Sequence, residues 1–139
     1  MDLEDQNTGP YGVAVSSSGE VWFTQHKANK ISCIQSDGRV VEYPIPTPDA
    51  KVLCLTVSSD DDVWFTENRA NKIGRITKEG IIVEYPLPNS ISGPYGITEG
   101  PNKKIWFTEI NGNRIGNISK DGNICEYELP NSDRNIIKN

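Results

Sequence analysis

The chain repeats one pattern of apolar and polar positions three times, with a step of 42 residues. Tryptophan stands at positions 22, 64 and 106, each time after an aliphatic residue and before Phe-Thr. Within each step, short apolar runs alternate with segments that contain glycine or proline. Such runs between turn residues are typical of β-strands. The pattern therefore predicts four short strands in every repeat.

The first repeat shows the predicted elements most clearly, with strands over residues 12–15, 21–24, 31–34 and 40–43. An Asp-Gly pair at 37–38 separates the last two strands, and it recurs at 121–122, with Glu-Gly at 79–80. Asp-Gly supplies the positive φ that a two-residue hairpin turn needs. The proline-rich segment 44–48 then leads to the next repeat, because proline cannot continue a central strand.

Four antiparallel strands in about 40–50 residues are the sequence pattern of a β-propeller blade. The predicted fold is all-β, with the tryptophan and phenylalanine side chains packed between neighbouring blades. We place the three blades at 10–51, 52–93 and 94–135, after an N-terminal segment 1–9 and before a tail 136–139. They form a single incomplete propeller domain.

Three blades are too few for a ring, since propellers close with about four to eight. We therefore expect an open arc with exposed apolar faces, which favour self-association. Two copies would supply six blades, so a dimer is the simplest way to cover these faces.

Composition excludes several classes of function. A net charge of −5 and scattered basic residues argue against nucleic-acid binding, which needs a patch of lysine and arginine. No apolar run approaches the roughly 18 residues of a membrane span, and the acidic N-terminus does not resemble a secretory signal. Three cysteines without a Cys-x-x-Cys spacing indicate reduced thiols in small core positions of a cytoplasmic protein.

The strand order predicts where functional side chains meet. The start of each first strand lies beside the end of the second, and first strands of propeller blades line the central channel. We therefore expect a ring of side chains around the channel mouth, which suits a partly apolar small ligand. The predicted ligand-facing residues are Tyr11, Gln25, Glu67, Tyr95 and Glu109.

The alternative to ligand binding is a structural role for these same residues. Glu67 and Glu109 could pair with Lys72 and Arg114, and the tyrosines could plug the channel. His26 is the only histidine, and it is a weak candidate for a general base, because no carboxylate adjoins it in sequence. A solvated loop histidine is the alternative interpretation.

Three motifs recur at one or two steps of 42 residues: Gly-Pro-Tyr-Gly at 9–12 and 93–96, Trp-Phe-Thr-Glu at 64–67 and 106–109, and Glu-Tyr-Pro at 42–44 and 84–86. A fourth, Asn-Lys-Ile-Gly-Arg-Ile at 71–76, returns in part as Asn-Lys-Ile at 29–31 and as Asn-Arg-Ile-Gly-Asn-Ile at 113–118. From about residue 7 to residue 130, this combination resembles the streptogramin B lyase family, also called virginiamycin B lyase. The resemblance implies a seven-bladed propeller. It also implies a Mg²⁺-dependent enzyme of antibiotic resistance, which opens the ring ester of type B streptogramins, cyclic depsipeptide antibiotics, by elimination. In that family a histidine removes the proton next to the ester carbonyl.

The family's catalytic histidine lies in a Glu-Pro-His-Gly version of the first-strand motif. The corresponding positions here are Gly-Pro-Tyr-Gly at 9–12 and 93–96 and Lys-Val-Leu-Cys at 51–54, without histidine. Glu67 and Glu109 match the family's metal-binding glutamates by residue type only, and they lie on different blades. The resemblance therefore implies Mg²⁺ without a complete ligand set in this chain.

Three hypotheses follow from this resemblance. The chain is the N-terminal three blades of a lyase, a non-catalytic propeller module that binds a small ligand or a protein, or a structural fragment. Because the histidine motif is missing, we expect the chain alone not to open the ring.

Overall fold

The computed structural model describes residues 7–130, which form three separate four-stranded antiparallel sheets. The first contains β1 (Pro10–Val15), β2 (Val21–Gln25), β3 (Lys30–Ile34) and β4 (Val40–Pro44). The second contains β5 (Val52–Val57), β6 (Val63–Glu67), β7 (Lys72–Ile76) and β8 (Ile82–Pro86). The third contains β9 (Pro94–Glu99), β10 (Ile105–Glu109), β11 (Arg114–Ile118) and β12 (Ile124–Glu128).

The strands of each sheet lie in chain order, so every sheet is a simple meander. This arrangement confirms the prediction of three all-β, four-stranded antiparallel blades, which we number 1 to 3. A total of seven blades stays an expectation. Residues 1–6 and 131–139 lie outside the described part, and with them most of the predicted N-terminal segment, the end of the predicted third blade (131–135) and the whole predicted tail.

Neighbouring blades pack through two different faces, because successive side chains of a strand point to opposite sides. We call them the tryptophan face, which carries Trp22, Trp64 or Trp106, and the phenylalanine face, which carries Phe23, Phe65 or Phe107. The tryptophan face of blade 1 meets the phenylalanine face of blade 2 in one buried cluster that contains Trp22 and Phe65. Trp64 and Phe107 join blades 2 and 3 in the same way. The first strands adjoin one another, β1 beside β5 and β5 beside β9.

Glycine makes room for two of the phenylalanine rings. A Cβ atom added at Gly74 would lie 2.1 Å from the Phe65 ring, and one at Gly116 would lie 2.5 Å from the Phe107 ring. Blade 1 has Ser32 at the same step, beside the half-buried Phe23. The glycine that follows isoleucine in the second and third repeats is therefore explained by the phenylalanine ring that packs against its backbone.

The hairpin turns differ from the prediction. Gly38 N donates to Gln35 O at 2.8 Å, and Gln35 N donates to Arg39 O at 2.8 Å, so the loop has three residues and not two. Only the glycine of the Asp-Gly pair has a positive φ, 90°. Arg39 N donates to the Asp37 side chain, which favours a type I turn followed by a glycine bulge. The turns at 77–81 and 119–123 have the same hydrogen bonds.

The cysteine prediction is correct for one residue and wrong for another. Cys33 is buried, and burial raises the pKa of its thiol to about 11. Cys54 is half-buried, whereas Cys125 is exposed, because it lies on β12 of blade 3, whose tryptophan face has no following blade among the described residues. All three are free thiols.

The described residues contain one short 3₁₀ turn, Pro101–Lys103, and no helix that is long and apolar enough to cross a membrane.

Candidate functional site

Three predicted residues meet at the starts of the first strands. The rings of Tyr11 and Tyr95 lie edge to face with centroids 6.2 Å apart, and their hydroxyl groups share a hydrogen bond. His26 follows β2, and its ring is 6.3 Å from that of Tyr11, again edge to face. We call Tyr11, Tyr95 and His26 the aromatic cluster. Tyr11 is 53% exposed, so this cluster is open to a ligand.

A glycine with positive φ places His26. Gly9 has a φ of 73°, and its carbonyl accepts a hydrogen bond from His26 N at 3.0 Å. A Cβ atom at Gly9 would lie 2.9 Å from the imidazole Nε2, so only glycine allows both this backbone conformation and the close approach. The equivalent Gly93 has a φ of 60° and accepts from Ile110 N. Blade 2 has Lys51 at this position, with a φ of 59°.

Threonine hydroxyl groups hold the first strands of blades 2 and 3 against the preceding blade. Thr24 Oγ1 accepts from Gly12 N at 2.8 Å and donates to Leu53 O of the next blade at 2.9 Å. Thr66 repeats this between Cys54 N and Tyr95 O, at 3.3 and 2.9 Å. We call this arrangement the threonine relay. It fixes the backbone of Tyr95, and it was not predicted, although the threonine is part of the repeated motif.

The end of the second strand carries Gln25, Glu67 or Glu109, and the amide of Gln25 is fully bonded. Its Nε2 donates to Thr8 Oγ1 at 2.7 Å, and its Oε1 accepts from Ser32 Oγ at 2.7 Å. Gln25 is half-buried and adjoins the backbone that leads to Tyr11, since Pro10 lies opposite it in the sheet. Gln25 therefore lies beside the aromatic cluster with both ends of its amide already hydrogen-bonded.

Glu67 is completely buried, and neither of its carboxyl oxygens has a hydrogen-bond donor among the described residues. Burial, with a further contribution from the charge of the adjacent Glu84 carboxyl, raises the pKa of Glu67 to about 9. Lys72 opposes this shift, but its ammonium group is 3.8 Å from Glu84 and donates to Thr47. Glu67 is therefore a neutral acid at pH 7.

Glu109 is only 1% exposed and has the ion pair that the structural interpretation anticipates. Arg114 Nε donates to Glu109 Oε1 at 3.0 Å and is 3.8 Å from Glu126. Burial raises the pKa of Glu126, and the adjacent Glu109 adds to the effect. The expectation that Glu67 and Glu109 face a ligand conflicts with this geometry, because side-chain packing between blades closes both off from solvent.

The described residues do not fit a Mg²⁺ site. Magnesium takes a near-octahedral set of oxygen ligands and usually keeps several waters. Within residues 7–130, no group of three or more His, Cys, Asp or Glu side chains could hold a metal ion. Glu67 has one carboxyl neighbour, which shares its pKa shift, and Glu109 is neutralised by Arg114.

A polar cleft of about 440 Å³ adjoins the aromatic cluster through His26. It is lined by His26, Lys27, Asp49, Lys51 and Arg69, and Arg69 forms a 2.6 Å ion pair with Asp49. Lys27 and Lys51 thus add positive charge next to the aromatic rings. The sequence analysis did not identify this cleft, because its members come from two blades and from loops without a repeated motif.

Comparisons with known proteins give a consistent result. A sequence model of the virginiamycin B lyase family matches residues 1–136. Virginiamycin B lyase of Staphylococcus aureus is 72% identical over 48 residues, which are 34% of this chain and 16% of that protein. A crystal structure of selenomethionine-substituted virginiamycin B lyase from S. aureus has a TM-score of 0.90 and 72% identity, and covers 94% of this chain.

A second crystal structure shows a catalytically inactive histidine-to-alanine virginiamycin B lyase from S. aureus with quinupristin, a streptogramin. It has a TM-score of 0.89 and 68% identity and covers 95% of this chain. The present chain spans 45% of the length of each of these two structures.

Proposed function

The chain belongs to the virginiamycin B lyase family, and on that basis we propose that it forms one wall of a binding site for type B streptogramin antibiotics. The aromatic cluster carries this proposal. Tyr11 offers an exposed ring, and its edge-to-face contacts with Tyr95 and His26 hold that ring in one orientation. A cyclic depsipeptide with apolar side chains can pack against such a surface.

The polar cleft supplies the second half of this wall. Ligand sites combine apolar and aromatic surface with a few convergent polar groups. Lys27 and Lys51 present donors beside His26, and Gln25 lies on the adjacent strand end. These groups suit the carbonyl oxygens of a depsipeptide ring. The relative that was crystallised with quinupristin supports the choice of ligand class.

We propose further that this chain alone does not open the antibiotic ring. Eliminative opening needs a base placed at the proton next to the ester carbonyl, a contribution of about 10²–10⁴-fold. His26 is the only histidine, its equivalents in the other blades are Asn68 and Ile110, and no carboxylate within residues 7–130 forms an ion pair with it. We assign any Mg²⁺ requirement to residues other than Glu67 and Glu109.

The alternative function is a non-catalytic module that binds another small ligand or a protein. The positive charge of the polar cleft favours an anionic small molecule under this alternative. We place the protein in the cytoplasm, because its three cysteines are free thiols.

Titration of the purified 139-residue chain with quinupristin, followed by tryptophan fluorescence or calorimetry, tests the binding proposal. We expect saturable binding that weakens at least about tenfold in Tyr11→Ala, as loss of a central aromatic contact typically does. Tyr11→Phe should keep most of the affinity, because it keeps the ring. Ile81→Ala, exposed on blade 2, is the matched control and should bind like the parent. Absence of binding in the parent chain, or equal binding by Tyr11→Ala, contradicts the proposal.

Incubation with quinupristin and Mg²⁺, followed by mass spectrometry, tests the chemistry in material from a host without a lyase. We expect the cyclic mass to persist. Linear product that disappears in His26→Ala would make His26 the base and overturn the proposal of inactivity. Linear product that persists in that variant would also overturn it, and would assign the base to another residue.

A further inference from the structure

One residue distinguishes the interface between blades 1 and 2 from the interface between blades 2 and 3. Arg75 lies opposite Trp64 in the sheet of blade 2, and Cys33 lies opposite Trp22 in the sheet of blade 1. Arginine has a long side chain that ends in a planar cation, whereas the cysteine side chain ends at its sulfur atom. The two positions are equivalent, but only Arg75 supplies a cation to its interface.

The guanidinium group of Arg75 has four partners. Its Cζ atom lies 5.3 Å from the centroid of the Trp64 ring, a cation–π contact. Its Nε is 2.9 Å from the Asp62 carboxylate. Its Nη1 donates to the Tyr85 hydroxyl at 3.2 Å and to the Lys120 carbonyl of blade 3 at 3.1 Å. An aromatic face, a carboxylate, a hydroxyl and a carbonyl of the next blade thus form a complete guanidinium site.

The interface between blades 1 and 2 has the same kinds of partner around a cavity of about 230 Å³. Each of the four partners of Arg75 has an equivalent in the lining, one 42-residue step earlier: Glu20, Trp22, Tyr43 and Lys78. The rings of Trp22 and Tyr43 have centroids 5.4 Å apart, against 5.9 Å for the pair in blade 2. Cys33 forms part of the wall. The walls of a guanidinium site are therefore present, and the chain supplies no guanidinium group to it.

The half-buried Glu20 is the anionic group of this cavity. Within residues 7–130 its carboxylate forms no ion pair, whereas Asp62 pairs with Arg75. Burial raises the pKa of the Cys33 thiol to about 11, and the charge of Glu20 adds to the effect. The thiol is therefore neutral at pH 7, so it takes the place of a cation without supplying one.

The cavity is enclosed by blades that cover each other within this chain. Its lining comes from blades 1 and 2 alone, and it includes Ser18 and Gln35, in the turns after the first and third strands. The described part begins and ends at the other end of the strands, where Thr8 and Leu129 bond to the loops between second and third strands. The aromatic cluster also lies at that other end. The cavity is thus separate from the proposed antibiotic wall.

We propose that this cavity binds a guanidinium cation, in the position that Arg75 occupies one blade further along. The plane of the cation lies over the Trp22 ring, and its N–H groups face the Glu20 carboxylate, the Tyr43 hydroxyl and the Lys78 carbonyl. Guanidinium presents a planar set of donors that matches such a combination of carboxylate and neutral acceptors. The proposal does not depend on the ligand of the aromatic cluster.

The mouth of the cavity is accessible and adds a second carboxylate. Ser18, Asp61 and Lys78 are exposed members of the lining, so a cation can enter from solvent. Asp61 stands at the position that Lys103 has in blade 3, so the charge there is reversed. Two sources share the required chemistry: a free small guanidinium compound and an arginine side chain of a peptide.

Titration of the isotope-labelled 139-residue chain with methylguanidinium chloride tests the proposal by the NMR shift of the Trp22 indole N–H. Concentrations up to about 100 mM, at constant ionic strength, stay far below the molar range in which guanidinium unfolds proteins. We expect a saturable shift with a dissociation constant on the order of 10 mM. The Trp64 indole should not respond, because Arg75 already covers its ring. Methylammonium chloride, a cation without the planar donors, should bind at least about tenfold more weakly.

A peptide with blocked ends and one arginine distinguishes the two sources. Binding of this peptide at least as tight as that of methylguanidinium assigns the site to arginine side chains. Binding of methylguanidinium alone assigns it to a free small cation. A parent chain without a saturable shift for either probe overturns the proposal and leaves the cavity to water.

Two variants locate the bound cation. Glu20→Gln should weaken binding at least about tenfold, because it removes the carboxylate. Glu42→Gln, exposed in the same blade, is the matched control and should bind like the parent. Cys33→Arg should abolish the shift, because its own guanidinium group fills the cavity. Equal binding by Glu20→Gln, or binding that persists in a folded Cys33→Arg chain, overturns the proposal. If Cys33→Arg does not fold, the comparison of Glu20→Gln with Glu42→Gln decides.

Discussion

The last residue of the second strand is buried or half-buried in all three blades, and its polar side chain is accommodated differently in each. The second strand ends in Gln25, Glu67 or Glu109. The amide of Gln25 is bonded to Thr8 and Ser32, the raised pKa of Glu67 keeps it protonated, and Glu109 is paired with Arg114 at 3.0 Å. The basic residue at the start of the third strand accounts for the difference between Glu67 and Glu109. Arg114 reaches both Glu109 and the Ile91 carbonyl, whereas Lys72 donates to Thr47.

We predict that Glu67 makes the free energy of unfolding fall as the pH rises. The pKa of Glu67 is about 9 in the folded protein, against 4.5 for an unperturbed glutamate. Above about pH 4.5 the unfolded chain releases this proton while the folded protein keeps it, so stability declines towards pH 9. The slope is at most about 1.4 kcal/mol per pH unit. Urea unfolding at pH 5, 7 and 9 measures it.

Glu67→Gln should flatten that slope and should stabilise the protein at pH 9, because the amide stays neutral at every pH and Gln25 shows that the column accepts it. Glu42→Gln is the matched control. Glu42 is exposed in blade 1 and pairs with Lys30, so this change should leave the slope as it is. An unchanged slope in Glu67→Gln would show that Glu67 is ionised in the folded protein.

At the scale of the elements, strand pairing within a blade and packing between blades depend on different residues. Main-chain hydrogen bonds hold the four strands together, with a register shift near the start of each first strand. The threonine relay then ties that first strand to the blade before it. Thr24 and Thr66 are fully buried, so the groups that they satisfy have no access to water.

We predict that Thr66→Val destabilises the protein by about 1–3 kcal/mol, the usual cost of leaving buried polar groups without partners. Valine has nearly the same shape but removes the acceptor of Cys54 N and the donor to Tyr95 O. Thr66→Ser keeps the hydroxyl group and should recover most of the loss. Urea unfolding at constant protein concentration measures both variants. Equal losses for valine and serine would assign the effect to packing and not to hydrogen bonding.

The sequence alone predicted the strands and the blades, because the 42-residue repeat and the glycine and proline residues between the apolar runs are features of the local sequence. It also placed Tyr11 and Tyr95 in one ring of side chains around the channel mouth, since strand order implies which strand ends adjoin. The predicted turn length was wrong: all three equivalent turns take a three-residue loop in which only the glycine has a positive φ, and Asp-Gly is compatible with this loop as well as with a two-residue one. The burial of Glu67 and Glu109 was not predicted, because it depends on packing between blades that are 42 residues apart in sequence. The polar cleft was missed for the same reason.

At the scale of the whole molecule, the three described blades differ in how much of their surface is buried against a neighbouring blade. Repeat proteins gain stability mainly from contacts between neighbouring units. Blade 2 has a neighbour on both faces, and every residue of β6 is buried. The equivalent strands β2 and β10 each contain residues that are half-buried or exposed. The same substitution should therefore have a different effect in different blades.

The equivalent residues Phe65 and Phe23 allow a direct test of this difference in burial between blades. Phe65 is completely buried against blade 1 and Gly74, whereas Phe23 is half-buried on the outer face of blade 1. We predict that Phe65→Leu lowers the free energy of unfolding by about 1–3 kcal/mol, because the smaller side chain leaves a cavity that the surrounding blades cannot fill. Phe23→Leu should cost less than half as much, because Phe23 has no blade against it and leucine leaves no enclosed space.

Both variants are measured at a protein concentration low enough that the unfolding midpoint no longer depends on it, since self-association through the face of blade 1 would cover Phe23. A cost for Phe23→Leu that equals that of Phe65→Leu at low concentration would mean that blade 1 is already covered in the monomer. The stability of the arc would then not follow from nearest-neighbour contacts among the three described blades.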